Sequence, residues 1–383
     1  MSLARLLHPI APSVFFEEAW ERKPLVLQGP PDRWSGLFSS RDLGRLLTYQ
    51  PPRSIEGMML VKEGRHRDEN WLSPDGSPRL EQVQAAWREG YTIVINKVGQ
   101  FWEPVGRFCA AVEEELHHPV GVNLYMTPPG AQGFKAHFDI MDAFVLQVEG
   151  SKVWQVRGPQ VTLPLPDEHT ATSSESLPPV LLEQELKRGD VLYIPRGFVH
   201  EARTAQTHSV HLTLGLQAVT WSDLFVAAIA AARRDERFRK GLPPRFLEGS
   251  AMMEQTFREL LAELPRHLEL GHALTQLAER LVVQKPPPPT EDLLEGAVEL
   301  KGSTVLTRRP GMVLRVMEGP GYAGLQYSGG KLMGPAKIGP ALRHIAKGSV
   351  IPVQSLPGLS EKEQLVLAGR LVRSGVLAVQ ETP

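Results

Sequence analysis

The chain has 383 residues and nearly balanced charge, with 42 lysines and arginines, 43 aspartates and glutamates and a formal net charge of -1. This balance does not predict general polyanion binding, because non-specific nucleic-acid affinity depends on an excess of cations. Hydrophobic residues make up 42% and charged residues 22%, which is typical of a globular protein and not of a disordered one. The length favours two or three domains.

The cysteine content and the length of the apolar runs predict the cellular location of the protein. The single cysteine, Cys109, excludes an intramolecular disulfide and any cysteine-based zinc site, which favours a reducing, cytoplasmic location. The first thirty residues show no signal-peptide pattern. The longest apolar run, 224–232, is far shorter than the about 18 residues that a membrane span requires, so we expect no membrane association.

Within residues 1–221 the residue pattern changes once, from helical to strand-like. Residues 1–100 mix short helical patterns with proline-rich turns and are predicted to be an N-terminal helical elaboration. Further on, short runs rich in β-branched and aromatic residues alternate with glycine, proline and aspartate. The predicted strands are 122–126, 143–148, 152–156, 191–194 and 209–214. Such closely spaced strands predict a sandwich or barrel, and we assign residues 101–221 to this core.

Residues 222–284 return to a helical period. Ser222 is predicted to cap the first helix, and a second helix begins near Ser250 with apolar residues along one face. The four prolines at 286–289 predict a stiff spacer, because consecutive prolines favour extended backbone. The spacer is the clearest domain boundary in the sequence.

The last segment, residues 291–383, is predicted to be a small α+β module. Its final helix opens with a capping box formed by Ser360 and Glu363, ends at Gly375 and precedes a short strand at 377–379. A helix that runs into a terminal strand suits a winged-helix arrangement. The module has eleven lysines and arginines against eight acidic residues, and this small excess does not indicate direct nucleic-acid binding.

His137 and Asp139 carry the first chemical signal. In an extended strand, residues i and i+2 project to the same face, so an imidazole and a carboxylate can reach one point. A second histidine from elsewhere would complete a two-histidine, one-carboxylate metal site with open coordination positions. Such a pair is common by chance, and alone it is as readily explained as a satisfied surface or turn pair.

A second motif follows in the expected order. The spacing Gly189-x5-Pro195-x-Gly197-x2-His200 matches most of the second motif of the cupin superfamily, and the His-x-Asp pair resembles the first. The usual asparagine four residues after this histidine is Thr204 here, a departure that affects a turn and not a metal ligand.

Lys152 restricts the reactions that the predicted metal site could catalyse. A lysine at the start of a strand is usually a solvated edge charge. In this context its position resembles that of the cation that pairs with the distal carboxylate of 2-oxoglutarate in JmjC oxygenases. A dicarboxylate bound to a metal through one end leaves its other carboxylate buried, and a buried carboxylate needs a charged partner.

Nearly the whole chain resembles the ribosomal oxygenases, which are cupin-fold JmjC hydroxylases of ribosomal proteins. The segments that carry the resemblance are 16–26, 122–130, 137–139, 147–150 and Lys152. The resemblance implies an α+β fold with a double-stranded β-helix (jelly-roll) core, a helical dimerisation segment at 222–284 and a C-terminal winged-helix-like domain at 291–383.

The same resemblance implies roles for individual residues. His137, Asp139 and His200 would be ligands of Fe(II), and Lys152 would form the salt bridge to 2-oxoglutarate. Thr213 would assist Lys152 through its hydroxyl. Asn123 and Tyr125 would line the cosubstrate and substrate pocket, although ordinary strand packing explains Tyr125 and Thr213 equally well. For His211, which shares a strand face with Thr213, we expect a supporting or core role.

The function implied is 2-oxoglutarate- and Fe(II)-dependent hydroxylation of a histidyl or arginyl side chain in a ribosomal protein, carried out by a homodimer. Lysine at position 152, where the arginyl-hydroxylating bacterial type has arginine, favours a histidyl target. Three alternatives stay open: a JmjC demethylase of a protein substrate, a metal-dependent cupin enzyme that does not use 2-oxoglutarate, and a non-catalytic cupin scaffold.

Overall fold

The computed structural model describes residues 2–49, 56–166, 168, 177–287 and 299–380. The chain divides into two compact units, Met1–Ala218 and Val219–Pro383. In the described parts of both units, every helix is too short or too polar to cross a bilayer.

The described residues of the first unit form five α-helices and a ten-stranded sheet. The helices are α1 (Ser2–Leu7), α2 (Pro12–Glu18), α3 (Ser40–Tyr49), α4 (Leu80–Arg88) and α5 (Glu103–Leu116). The strands are β1 (Leu25–Leu27), β2 (Met58–Lys62), β3 (Arg65–His66), β4 (Thr92–Ile95), β5 (Val120–Thr127), β6 (Asp142–Pro159), β7 (Val180–Lys187), β8 (Val191–Ile194), β9 (Phe198–Arg203) and β10 (Ser209–Leu216). The order is β1-β8-β6-β10-β5-β4-β2-β3, with β7 and β9 also paired to β6, so the unit has the expected β-helix core.

Strand β6 joins the two halves of this core. Two separate strands were predicted at 143–148 and 152–156, but β6 runs through both without a break. Its first half pairs with β8 and β10, and its second half pairs with β7 and β9. Gly150, at φ 61°, lies at the change of partners, where a Cβ would be 1.8 Å from the carbonyl oxygen of His208. Only glycine fits this bend, so a residue that looked like a strand breaker lets one strand serve two sheets.

Three other local predictions differ from the structure. Strands β7 and β9 were not predicted, and β9 contains His200. The His137–Asp139 segment lies outside the named strands and makes only a single bridge, between His137 and His200. Residues 1–100 contain strands β1 to β4 as well as helices, because these short segments extend the edges of the large sheet.

A buried polar ring supports the turn that precedes His200. The Tyr193 hydroxyl donates to Asp142 Oδ1 at 2.7 Å, and the Glu21 backbone N–H donates to the same hydroxyl at 2.9 Å. Arg196 closes the ring through ion pairs with Asp142, at 3.0 Å, and with Glu21. Because buried charges are stable only when they are paired, this ring fixes the Pro195–Gly197 turn to the N-terminal segment.

The second unit begins with α6 (Trp221–Ile229), α7 (Ala251–Glu263) and α8 (Leu270–Ala278). Thr220 caps α6, because its hydroxyl accepts from the Asp223 N–H at 3.2 Å, so the prediction of Ser222 as the cap is wrong by two residues. Ser250 does cap α7, through the Met253 N–H at 3.1 Å. Residues 288–289 of the predicted spacer lie outside the described residues.

The described C-terminal segment of this unit contains two three-stranded sheets and two helices. Its elements are β11 (Val305–Arg308), β12 (Leu314–Gly319), β13 (Tyr322–Tyr327), β14 (Gly330–Pro335), α9 (Gly339–Lys347), β15 (Val350–Pro352), α10 (Glu361–Arg373) and β16 (Leu377–Val379). The sheets have the orders β15-β11-β16 and β12-β13-β14. The predicted capping box is present at α10, where the Ser360 N–H donates to Glu363 at 3.1 Å. The winged-helix assignment stays a prediction.

Candidate functional site

Two histidines and one aspartate converge at the mouth of the β-helix core. One ligand atom from each of His137, Asp139 and His200 lies within 4.8 Å of the others. His200 Nε2 is 3.6 Å from Asp139 Oδ2, and the two imidazole centroids are 4.5 Å apart. The structure therefore brings together the three residues predicted to hold a metal.

Backbone hydrogen bonds hold the two sequence motifs in register. The His137 N–H donates to the His200 carbonyl at 3.1 Å, and the His200 N–H donates to the His137 carbonyl at 2.7 Å. The Gly197 N–H donates to the Asp139 carbonyl at 2.8 Å. Gly197 has a φ of 85°, and a Cβ there would lie 1.9 Å from the Val161 carbonyl oxygen. The glycine is therefore required where this turn approaches the backbone of Val161.

Each histidine presents the same ring nitrogen to the cluster. His137 Nδ1 lies 2.8 Å from the Lys135 carbonyl, and His200 Nδ1 lies 3.1 Å from the Phe198 carbonyl. A carbonyl oxygen can only accept, so Nδ1 carries the proton and each Nε2 keeps a lone pair. Burial lowers the pKa of His200, and His137 lowers it further, which favours the neutral imidazole that a divalent metal requires.

A cavity of about 350 Å³ opens beside this cluster. The predicted residues Lys152, Tyr125 and Thr213 line it, together with the three candidate ligands. Apolar wall is supplied by Ala143, Val145, Trp154 and Ile194. Asn123 is not among the lining residues. Its side-chain carbonyl accepts from the Lys97 N–H at 2.9 Å, and a side-chain hydrogen bond joins it to Tyr125, which lines the cavity.

Lys152 is a buried cation with a neutral partner. Its side chain is 5% exposed, and Nζ donates to Thr127 Oγ1 at 3.0 Å. The Thr92 hydroxyl donates in turn to Thr127 at 3.1 Å. Within the described ranges no carboxylate pairs with Lys152, and burial lowers its pKa to about 7. A desolvated ammonium without a counterion is a ready site for an anionic ligand.

Thr127 therefore occupies the place predicted for Thr213, which lines the same cavity without a hydrogen bond to Lys152 among the described contacts. Sequence reasoning missed Thr127, although a signal was available. Asn123, Tyr125 and Thr127 alternate along β5, and the two-residue strand period groups Thr127 with the tyrosine that was selected.

Aromatic rings line the same wall, with polar atoms that lack partners. The Tyr125 ring stacks on His211 at a centroid distance of 4.8 Å, and Trp154 meets His211 edge-on at 5.4 Å. His211 Nδ1 and Trp154 Nε1 are buried and have no hydrogen-bond partner in the described part of the chain. Burial and, to a lesser degree, Asp139 raise the pKa of Tyr125 to about 12, and burial followed by Lys152 lowers the pKa of His211, so both stay neutral.

Comparisons with known proteins agree with this architecture. Residues 98–224 match the JmjC domain family. Ribosomal oxygenase 1 of Rattus norvegicus is 32% identical over 314 residues, which cover 75% of this chain and 52% of the rat protein. A Branchiostoma floridae protein named bifunctional lysine-specific demethylase and histidyl-hydroxylase NO66 is 28% identical over 429 residues, which cover 98% of this chain and 67% of that protein. The chain spans about half the length of the mammalian ribosomal oxygenase 1 relatives it matches, 52% and 48% for two of them.

Solved structures extend the likeness to the whole chain. The Escherichia coli ribosomal oxygenase YcfD, in complex with cobalt and 2-oxoglutarate, aligns with a TM-score of 0.57 and 20% identity, covering 97% of this chain and 99% of that chain. At this level of identity the likeness concerns the fold. Since the JmjC match, the ribosomal oxygenase relatives and this shared fold all include the segment from His137 to His200, the chain belongs to the JmjC-type ribosomal oxygenases of the cupin superfamily.

Proposed function

We propose that this chain is an Fe(II)- and 2-oxoglutarate-dependent dioxygenase that hydroxylates a histidyl or arginyl side chain of a ribosomal protein. One observation carries the proposal. A single cavity has two imidazoles and a carboxylate at one side and, on its buried wall, a lysine without a carboxylate partner among the described residues. A metal-dependent cupin enzyme that ignores 2-oxoglutarate has no use for this buried ammonium.

The donor set fits Fe(II). His137, Asp139 and His200 would hold the metal through two imidazole nitrogens and one carboxylate, the set typical of non-haem iron oxygenases with open coordination positions. The carbonyls of Lys135 and Phe198 orient the rings by accepting the two Nδ1 protons. Such outer hydrogen bonds usually contribute about 10–100-fold to metal affinity.

The cavity also fits 2-oxoglutarate. Lys152 and the Thr127 hydroxyl would bind the distal carboxylate, which supplies the charge that the buried ammonium lacks. The E. coli relative whose structure contains cobalt and 2-oxoglutarate supports this choice. When bound, iron and cosubstrate supply the oxidising chemistry that inserts one oxygen atom of O₂ into a substrate C–H bond.

The chain's own residues contribute orientation and exclusion of water. Val145, Trp154 and Ile194 form an apolar wall, which limits water beside the metal ligands. Tyr125 and His211 remain neutral because they are buried, so they add no competing charge next to Lys152. Lys152 is then the main electrostatic anchor on this wall of the cavity.

The names of the relatives supply the substrate class. Ribosomal oxygenase 1 and a histidyl-hydroxylase are among the proteins this chain resembles, and lysine at 152 favours a histidyl target. We expect purified chain with Fe(II), 2-oxoglutarate and a mixture of ribosomal proteins to release succinate and to add the mass of one oxygen atom to one peptide. Mass spectrometry with fragmentation would locate the modified side chain. Succinate release without any modified ribosomal peptide would contradict the proposed substrate.

Demethylation is a second candidate activity, because the Branchiostoma relative is named for both demethylation and histidyl hydroxylation. The same experiment separates the two activities. Loss of a methyl group with release of formaldehyde would identify a demethylase, whereas retained added oxygen would identify a hydroxylase.

We also propose that residues 222–284 form a homodimer contact. Large apolar side chains are exposed on two helices of this segment, including Phe225 at 56% and Phe257 at 61%. Several large apolar side chains exposed close together mark an interaction surface. Phe225→Glu combined with Phe257→Glu should give monomers by light scattering, whereas Tyr49→Glu, at an exposed apolar position in α3, should not. A dimer that persists in the double variant would contradict this interface.

A further inference from the structure

The near-zero net charge of the chain conceals a strong asymmetry. Residues 299–380 carry eleven lysines and arginines against four acidic residues, an excess of seven, whereas residues 1–298 carry 31 against 38. The smaller excess counted over 291–383 includes four acidic residues, at 291, 292, 295 and 381, that lie outside the described residues. With these four acidic residues included, residues 291–383 keep an excess of three cations, so the C-terminal segment is basic and the rest of the chain is acidic. Such asymmetry between parts of a chain favours a polyanionic partner for the basic part.

Two of the four acidic residues of 299–380 pair with cations outside the exposed face of α10, while Glu361 lies beside Lys362 at the start of the helix. Glu318 pairs with Arg343, and Glu363 pairs with Lys337 and also accepts from the Ser360 N–H. Lys362, Arg370 and Arg373 are exposed, and within residues 299–380 none of them forms an ion pair. Their charges are available to a partner.

The helix presents these three cations on one face. Lys362, Val366, Arg370 and Arg373 follow one another at intervals of four, four and three residues, which places them on one side of an α-helix. The stripe is about 16 Å long at 1.5 Å per residue. The opposite side is anchored in the apolar core of the unit by Gln364, Leu367, Ala368, Leu371 and Val372. Because the helix is fixed by its buried side, the positions from which the exposed cations project are fixed relative to one another.

We propose that this face of α10, defined by Lys362, Val366, Arg370 and Arg373, docks on the phosphate backbone of RNA. The row of cations on this face matches a regular row of phosphates, and the released counterions supply the affinity. The stripe has no aromatic side chain for base stacking, so the contact is independent of sequence. Its only large apolar residue is Val366, 56% exposed, which is too little to insert into a lipid surface.

RNA is preferred to DNA because a ribosomal-protein substrate brings RNA with it, and this choice rests on the proposed function. The existence of the cationic surface on α10 does not rest on the proposed function. Its location in the second unit, on an element that contributes nothing to the cavity of the first, makes RNA binding measurable without turnover.

The test uses the full chain and fluorescence anisotropy with a labelled RNA of mixed sequence. The triple variant K362Q/R370Q/R373Q should bind about tenfold or more weakly at low salt, and the slope of log affinity against log salt should fall by about 2, as three lost phosphate contacts predict. The matched control, K23Q/R45Q/R107Q, removes three exposed cations from the first unit and should keep the wild-type affinity. Succinate release should be unchanged in both variants.

Three results would overturn the proposal: equal RNA affinity in the α10 variant and wild type, an equal loss in the control variant, or binding to phosphatidylserine vesicles without binding to RNA. Tighter binding to duplex DNA of the same sequence would overturn the choice of RNA. Because anisotropy does not depend on hydroxylation, failure of this proposal is distinguishable from failure of the proposed function.

Discussion

Lys152 in the first unit and the α10 cations in the second carry charge in opposite environments. Lys152 is 5% exposed, and its pKa is lowered to about 7 by desolvation. Lys362, Arg370 and Arg373 lie on the exposed side of α10, where water screens their charge. One buried ammonium therefore selects a ligand by position, whereas a row of solvated cations attracts any regular polyanion. The following predictions test this difference, from the largest expected effect to the smallest.

Removal of a metal ligand should have the largest effect. We expect His137→Ala to lower succinate release by about a thousandfold or more, because one imidazole of the three-ligand set is lost. The fold should persist, since His137 is only half-buried. Calorimetric titration with Co²⁺ would show the lost metal site. The control Lys135→Ala keeps the backbone carbonyl that orients His137 and should leave binding intact; unchanged metal affinity in His137→Ala would remove this residue from the site.

Lys152→Met should separate function from stability. The Michaelis constant for 2-oxoglutarate should rise by about a hundredfold or more, because the distal carboxylate would be buried without a counterion. The free energy of unfolding of the ligand-free protein should rise by up to roughly 4 kcal/mol near pH 7, since each unit of pKa displacement corresponds to about 1.4 kcal/mol. Steady-state kinetics and chemical denaturation measure the two effects. A less stable variant with wild-type kinetics would show that Lys152 is a structural residue.

Two threonines distinguish the observed partner of Lys152 from the predicted one. Thr127→Val should raise the Michaelis constant for 2-oxoglutarate by about tenfold, because a hydrogen bond to a charged group usually contributes about 1.5–3 kcal/mol. Thr213→Val, a change of the same size in the same cavity, should alter it by less than about twofold. Equal effects would mean that the bound state moves Lys152 towards Thr213.

The apparent affinity for 2-oxoglutarate should fall as pH rises. The charged form of Lys152 binds the carboxylate, and its pKa of about 7 means that the protonated fraction decreases about fivefold between pH 7 and pH 8. The groups around Lys152 in this cavity are His211 from β10, Tyr125 and Thr127 from β5 and Glu201 from β9, with the three candidate ligands. Tyr125 and His211 are neutral throughout this range.

A control isolates Lys152 in this pH series. Metal affinity measured over the same pH range reports on the three ligands and not on Lys152, and burial keeps the pKa of His200 below its ordinary value of 6.5. The Michaelis constant of Lys152→Met should not change with pH. A pH dependence retained in that variant would assign the titration to another group.

The partner of Lys152 depends on strand register, which could not be predicted from the sequence. Ser209 on β10 pairs with Thr127 on one side and with Gly150 on the other. On β6, Lys152 is two residues from Gly150 and therefore lies near Thr127 on β5. Thr213 is four residues from Ser209 along β10, on the other side of this pairing point. The family resemblance implied that the Thr213 hydroxyl would assist Lys152, but the structure has Thr127 in that place, and partner choice depends on a register shift between Val210 and His211.

The metal ligands were predictable for the opposite reason. The spacing of His137 and Asp139 brings both side chains to one point wherever the backbone is extended, and the structure shows this without a regular strand. The glycine and proline spacing before His200 likewise encodes a turn that only a few residues can form. The Ser222 prediction failed because adjacent polar residues compete for one cap, and Thr220 has the extended backbone that a cap requires.

By itself, the sequence determined the types of ligand, their order and a core of short strands, since covalent geometry and side-chain chemistry act over a few residues. The β-helix class was implied by the resemblance to the ribosomal oxygenases. Only the tertiary structure decided that Lys152 is buried beside a neutral hydroxyl, that the Asn123 side chain accepts from the Lys97 N–H and that three α10 cations lack ion-pair partners within their segment. Burial and pairing depend on strand register and on which faces pack together, and those are properties of residues far apart in the chain.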